Sequence, residues 1–327
     1  MAEELRAVII GAGRVAPGLA RAIENSPGVT LIGVADSDMP RAEALGAKLG
    51  VRAVARYQDF LEDPTVDLTV LALPHWLHHQ VAIDCCKAGK HVYVEKPLAN
   101  TVEEADEMIE VANAHRVRLF AAHTQRFMAS AILARQMLER GDIGAPVYAT
   151  DTWYKDFGVA GRPAWFLDRS KGGGMWLMNG AHMIDRTCWM LNSEVAAVKA
   201  WIGNPIYHLK ADDSSLAYLQ LKNGLRCAII HSGFKKGVGK CEVEILGTEG
   251  MLRVDTYGSR LWQSVDDQYQ PVEVQKHDAF TYEMTMFIEA LQTGGELPVP
   301  IAWGRHMVQV LCACEESSQT GREVVLD

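Results

Sequence analysis

The sequence predicts a two-domain α/β protein, with a doubly wound parallel sheet in the first third and a strand-rich part after it. Three observations predict this. Up to about residue 123, short apolar runs alternate with helical patterns through short connections, as in a parallel sheet covered on both faces. From 195 to 275 strands dominate, with turn signals at Lys222-Asn223-Gly224, at "LGTEG" (246–250) and at "TYGSR" (256–260). The length, 327 residues, exceeds what one hydrophobic core usually fills. The boundaries implied are 1–123 and 124–327.

The elements follow in order. "LRAVII" (5–10) is a short apolar strand, and a helical pattern runs on to about Glu24. "VTLIGVAD" (29–36) is a second strand, and "RAEALGAKLG" a helix ending at Gly50. "VDLTVLALP" (66–74) and "KHVYVEKP" (90–97) are strands flanking the helix "HHQVAIDCCKAG". A helix from Thr101 and the strand "VRLFAAH" (117–123) complete the set. In the second part a helix at about 130–140 and a strand at 147–154 precede an aromatic loop, and helices at about 279–292 and 303–319 close the chain.

Composition narrows the function. The formal charge of -9 argues against a nucleic-acid or anionic-membrane partner, which require a concentrated positive face. No apolar run reaches membrane-spanning length, and the N-terminus is acidic where a secretory leader would be basic, so a cytoplasmic protein is expected. Seven scattered cysteines without a C-x-x-C pair predict reduced thiols, and no metal site is expected.

Gly11, Gly13 and Ala16 form G-x-G-x-x-A directly after a strand and at the opening of a helix. The first glycine permits a tight turn, the second lets backbone approach a pyrophosphate, and the small third residue lets helix and strand pack closely. The helix N-terminus, with Arg14 and Val15, offers amide donors to phosphate. The second strand ends in Asp36, which can accept bonds from both ribose hydroxyls and would repel a 2′-phosphate; this favours NAD over NADP, with Ser37 able only to soften the preference.

The stretch "LALPHWLHHQVAIDCCKAGKHVYVEKPLA" (71–99) resembles the glucose–fructose oxidoreductase / inositol dehydrogenase / MocA-type (Gfo/Idh/MocA) family. Pro74, His78, Ala88-Gly89-Lys90-His91-Val92 and Glu95-Lys96-Pro97-Leu98-Ala99 carry the likeness, which continues through "HTQRF" (123–127) and the triple glycine at 172–174. The resemblance implies a Rossmann domain followed by an α/β domain with a large open, mostly antiparallel sheet. It further implies a bound nicotinamide cofactor and a homodimer or homotetramer formed through that sheet. Cofactor contacts are then expected from Leu73, Pro74, His75, His78, Glu95, Lys96 and Arg126, beside the glycine turn and Asp36–Ser37. Lys96 is assigned as the lysine that hydrogen-bonds the substrate oxygen. Its place between Glu95 and Pro97 at a strand mouth suits that role, although pairing with Glu95 alone would also explain it.

In the resembling family the stretch after the glycines reads G-G-G-x-L-x-D-x-G-x-H-x-x-D. Here Gly180, His182 and Asp185 fit, but Met178 stands where the aspartate is usual. Asn179 is the nearest polar neighbour, yet adjacent helical residues point about 100° apart. His182 joins Lys96 as the expected catalytic pair; Lys96, Arg126, Tyr154, Trp165, Asn179 and His182 are the expected substrate contacts. Arg126, Arg162 and Arg169 are candidates for a substrate carboxylate. The expected activity is NAD(H)-dependent interconversion of a secondary alcohol (or hemiacetal) and a ketone (or lactone) on a small cyclic substrate, a sugar or sugar derivative. Two rivals stand beside it: a dehydrogenase of a ring diol or hemiacetal of an aromatic carboxylate, and a non-catalytic nucleotide-binding sensor, which Met178 keeps open.

Overall fold

The computed structural model describes residues 4–326. The outer limits of the two expected domains and the first residues of the N-terminus lie outside this range. The chain forms two compact units: the residues up to His123 with Asp278–Arg305, and Thr124–His277 with the residues from His306 onward.

In the first unit the chain runs β1 (Leu5–Ile10), α1 (Ala16–Glu24), β2 (Val29–Ala35), α2 (Met39–Leu49), β3 (Arg52–Val54), α3 (Gln58–Leu61), β4 (Leu68–Leu71), α4 (His78–Lys87), β5 (His91–Val94), α5 (Val102–Ala114) and β6 (Leu119–Ala121). The strands form a six-stranded parallel sheet in the order β3-β2-β1-β4-β5-β6. Its order reverses between β1 and β4, the position where such sheets open a crevice at their C-terminal edge. All four residues of β4 are buried, as a strand covered on both faces requires. Pro17 falls in the first turn of α1, where its missing N–H leaves no bond broken.

The second unit contains α6 (Ala129–Arg140), β7 (Pro146–Asp156), α7 (Ala181–Met190), β8 (Val195–Gly203), β9 (Ser214–Leu221), β10 (Arg226–Phe234), β11 (Lys240–Gly247), β12 (Met251–Asp255), β13 (Arg260–Val265) and β14 (Gln268–Val272). The closing helices are α8 (Ala279–Thr293) and α9 (Ile301–Thr320), and β15 (Val324–Val325) ends the described chain. A nine-stranded sheet has the order β14-β13-β12-β11-β7-β10-β9-β8-β15 and is antiparallel except where β7 and β10 run parallel. Buried and open residues alternate along β10, so one face of the sheet is core. On that face α7 packs against β7 and β10.

The sequence boundaries assigned everything after 123 to the second domain, but Asp278–Arg305 belongs to the first unit. The reason is buried and polar. Glu283 on α8 is fully buried, accepting the Tyr93 hydroxyl at 2.8 Å and the His123 amide at 2.6 Å, and Phe287 stacks on Phe120.

Candidate active site

The glycine turn of the first unit is built against the end of β4. Gly11 has φ +104°, and a Cβ there would lie 2.4 Å from the carbonyl oxygen of Ala72. Gly13 lies opposite the same oxygen, and Arg14 and Val15 lead into α1. The first amides of a helix have no partner within it, so this turn presents donors to an anion. Asp36 holds the turn from β2: one carboxylate oxygen accepts the Ala12 amide at 2.7 Å and the other accepts the Asp38 amide at 2.9 Å. Both oxygens keep lone pairs for a further donor. Ser37 follows it in the same loop. The turn, the absence of room for a side chain at Gly11 and the carboxylate at the end of β2 fit an NAD dinucleotide.

Leu73, Pro74 and His75 continue from β4 into a short 3₁₀ turn. His78, fully buried at the start of α4, has Nε2 3.0 Å from the Leu73 carbonyl and Nδ1 2.9 Å from the Pro97 carbonyl. It ties the loop after β4 to the loop after β5, which carries Glu95 and Lys96. His78 is thus a brace between two loops; burial pushes its pKa down to about 4 against the pull of both carbonyls, so the neutral ring donates its one N–H to one carbonyl and packs against the other.

Lys96 is buried two residues beyond β5. Burial lowers its pKa from the ordinary lysine range, against the pull of Glu95, which favours the charged amine. Glu95 is pushed the other way by burial, and its Oε1 has no hydrogen-bond partner among the described residues.

In the second unit the three glycines serve local packing. A Cβ on Gly173 would lie within 2.4–2.7 Å of the carbonyl oxygens of Trp165, Phe166 and Asp168, and one on Gly174 would lie 2.0 Å from the Asp212 carboxylate. That carboxylate accepts the Trp176 amide at 2.7 Å and so caps the helical stretch that follows. The stretch begins as a π-helical turn, Trp176–Gly180, and passes into α7; such turns often occur at functional sites. Met178 packs beside the apolar cluster of Phe157, Phe166 and Met175, together with Trp165. Trp165 therefore contributes to a hydrophobic cluster. Asn179 is buried, its amide nitrogen 3.0 Å from His231 Nε2; this bond does not substitute for the missing aspartate. His182 is half-buried, its ring 6.4 Å from that of Trp153. Tyr154, the next residue on β7, lines an open cleft.

Asp185 accepts bonds from buried Arg126, one of them from Nε at 3.2 Å. The structure pairs Asp185 with Arg126 because the turn at Thr124–Phe127 packs on α7. Arg126 is accordingly engaged by a carboxylate of its own chain. Arg162 lies over the Phe166 ring and donates to the Phe157 carbonyl, and Arg169 pairs with Glu315. The three candidates for a substrate carboxylate thus all have internal partners. Sequence reasoning missed a second buried pair, Arg186 with Asp151, to which Gln125, Thr187 and Thr256 add hydrogen bonds. It also missed His231, whose 52-position separation from Asn179 leaves no local signal. Among the described residues no group of three His, Cys, Asp or Glu side chains could hold a metal ion, and no helix is long and apolar enough to cross a membrane.

The chain resembles known proteins along its whole length. Residues 5–123 match the family model described as "Oxidoreductase family, NAD-binding Rossmann fold", and residues 132–253 match the GFO/IDH/MocA C-terminal domain. The scyllo-inositol 2-dehydrogenase (NAD(+)) of Bacillus subtilis (strain 168) is 26% identical over 341 residues, covering 100% of this chain and 98% of that protein. The myo-inositol 2-dehydrogenase of Thermotoga maritima is 25% identical, covering 99% of each. The structure of aldose-aldose oxidoreductase from Caulobacter crescentus, complexed with glycerol, superposes with a TM-score of 0.90 at 22% identity, covering 99% of this chain and 100% of the other. With the glycine turn, Asp36 and the buried Glu95-Lys96 already in place, these matches establish an NAD-binding oxidoreductase acting on CH–OH groups, and the chain belongs to the Gfo/Idh/MocA family.

Proposed function

We propose that the protein is an NAD(H)-dependent dehydrogenase that interconverts a secondary alcohol (or hemiacetal) and a ketone (or lactone) on a small cyclic polyol, a sugar or sugar derivative. The observation that carries this reading is the buried Lys96 at the C-terminal edge of the nucleotide-binding sheet, its amine shifted by burial toward the neutral form. Oxidation removes a carbon-bound hydrogen as hydride and the hydroxyl proton, and leaves a carbonyl. When bound, the nicotinamide supplies the hydride acceptor. Lys96 takes the hydroxyl proton at Nζ in oxidation and returns it in reduction. His182 hydrogen-bonds a substrate hydroxyl, as a half-buried imidazole is able to do. Gly11, Gly13, Arg14 and Val15 hold the pyrophosphate, and Asp36 takes the ribose hydroxyls, so NAD(H) binds more tightly than NADP(H).

The relatives named for inositols favour a cyclic polyol. The internal pairing of Arg126, Arg162 and Arg169 favours a neutral substrate over an aromatic carboxylate. Retention of Lys96 and His182 favours turnover over a sensor role. The sheet face carrying the half-exposed Trp201, Leu216 and Tyr218 suits association into a homodimer or homotetramer, which light scattering would measure, and we place the enzyme in the cytoplasm.

The test is the growth of reduced-nicotinamide absorbance with a panel of inositols, sugars and aromatic diols. Lys96→Met is expected to bind NAD(H) as before and to lose roughly two to four orders of magnitude in turnover. Near-normal turnover in that variant, or activity confined to aromatic carboxylates, would overturn the reading.

A further inference from the structure

His231 is a buried titratable group with no part in the proton transfer assigned to Lys96. It lies on the buried face of β10, in line with Cys227, Ile229 and Gly233. Burial, to which Lys155 and Arg186 add, pushes its pKa down to about 3, so the ring is neutral and carries one proton. Asn179 decides where that proton sits. Its amide nitrogen lies 3.0 Å from His231 Nε2 and 3.6 Å from Met175 Sδ. A thioether sulfur only accepts, so the amide turns its N–H groups to this side and not its oxygen. Nε2 therefore accepts, and the ring proton sits on Nδ1, which is buried without a partner among the described residues.

The amide nitrogen of Asn179 is thereby engaged, and its oxygen is left over. No described residue donates to Oδ1, although Asn179 is only 4% exposed. A buried carbonyl oxygen without a donor is costly, and nearly all such groups in folded proteins have one. The surroundings point to the donor. Asn179 and His182 stand three positions apart where the π-helical turn passes into α7, so their side chains leave the stretch on one side. Trp153 stands opposite His231 in the parallel pairing of β7 with β10. Its ring neighbours both His231, at 5.9 Å between centroids, and His182, at 6.4 Å. Asn179, His231, Trp153 and His182 thus form one cluster, and it includes the imidazole that holds the substrate.

We propose that Asn179 Oδ1 accepts a hydrogen bond from a non-reacting hydroxyl of the substrate, and that His231 is the positioning residue that fixes the amide in this sense. A hydroxyl at that ring carbon satisfies the oxygen, whereas a deoxy or keto position leaves it buried and unpaired. The proposal rests on the dehydrogenase reading for the role of His182. Two measurements on the full chain test it. Long-range proton–nitrogen NMR spectra of the histidine rings, with His231→Gln to assign the signal, are expected to show His231 as the Nδ1–H tautomer at neutral pH. In steady-state oxidation of scyllo-inositol and myo-inositol with NAD⁺, Asn179→Leu and His231→Leu are each expected to raise KM about tenfold and to leave kcat within about twofold, as loss of a bond to a non-reacting hydroxyl does. His231→Gln, whose Oε1 accepts the same N–H, is expected to restore KM. The double Leu variant is expected to be no worse than Asn179→Leu alone, because His231 acts through Asn179. An Nε2–H tautomer, or an unchanged KM in either single Leu variant whatever happens to kcat, would overturn the proposal. Absence of turnover with both inositols counts against the dehydrogenase reading, whereas the ring nitrogens report on His231 and Asn179 without any substrate.

Discussion

Lys96 and Asp212 show one penalty acting in opposite directions. Burial disfavours charge, so the amine is shifted down and the carboxyl of Asp212 is raised to about 7. For Lys96 in the proposed role the consequence is kinetic. Alcohol oxidation needs the neutral amine, so kcat/KM for oxidation rises with pH through a pKa below the ordinary lysine value of about 10.4, and carbonyl reduction falls over the same range. Lys96→Arg, which cannot deprotonate, is expected to remove that limb from the pH–rate profile. For Asp212 the consequence is stability. Its folded pKa lies above the unfolded value of about 3.9, so its contribution is present below that pH and is lost as pH rises through about 7. Asp212→Asn keeps an acceptor for the Trp176 amide and removes the charge. Urea melts are expected to find it about 2–4 kcal/mol more stable than the parent at pH 8 and equal to it near pH 4.

Helix α7 is fastened by two buried ion pairs, Arg126–Asp185 and Arg186–Asp151. Removing one partner of such a pair strands the other, whereas replacing both by apolar groups removes the desolvation cost as well. Arg186→Met is therefore expected to cost about 3–5 kcal/mol in urea unfolding, and the double change Arg186→Met with Asp151→Leu to recover most of it. Neither pair was legible in the sequence. Their partners lie 59 and 35 positions apart, and charge alone does not reveal which acid meets which base. What could be read was whatever repeats with the period of an element. The apolar strands, the glycine turn at Gly11 and helices such as α6 and α8 were found within a few residues. The three-residue β3 and four-residue α3 are too short to carry a period. The π-helical turn was hidden because Trp176–Gly180 has the composition of an ordinary helix. The motif residues Asp36 and Lys96 could be singled out because both follow strand ends. The brace formed by His78 could not, since its two carbonyl partners are backbone atoms.

At the scale of the whole molecule, two buried histidines oppose acid while the buried carboxyls of Asp212, Glu95 and Asp151, all raised by desolvation, favour it. His78 and His231 are buried neutral, with pKa values pushed down to about 4 and about 3 by desolvation. Both folded values lie below the unfolded one of about 6.5, so stability is full above that pH and is lost as pH falls toward the folded values. Each histidine contributes a loss of about 3 kcal/mol between pH 6.5 and 4, set against the gains of the three carboxyls, and denaturant melts are expected to find His231→Gln less destabilised by acid than the parent. The parallel pairing of β7 with β10 has a consequence for synthesis. β7 ends at Asp156, and its two sheet neighbours begin only at Arg226 and Lys240. A nascent chain elongating at about 5–20 residues per second must hold this half-apolar strand for several seconds with both edges bare. The central strand of the sheet is thus the first of its strands to leave the ribosome and waits longest for its first neighbour, which makes it the natural place for a chaperone to bind.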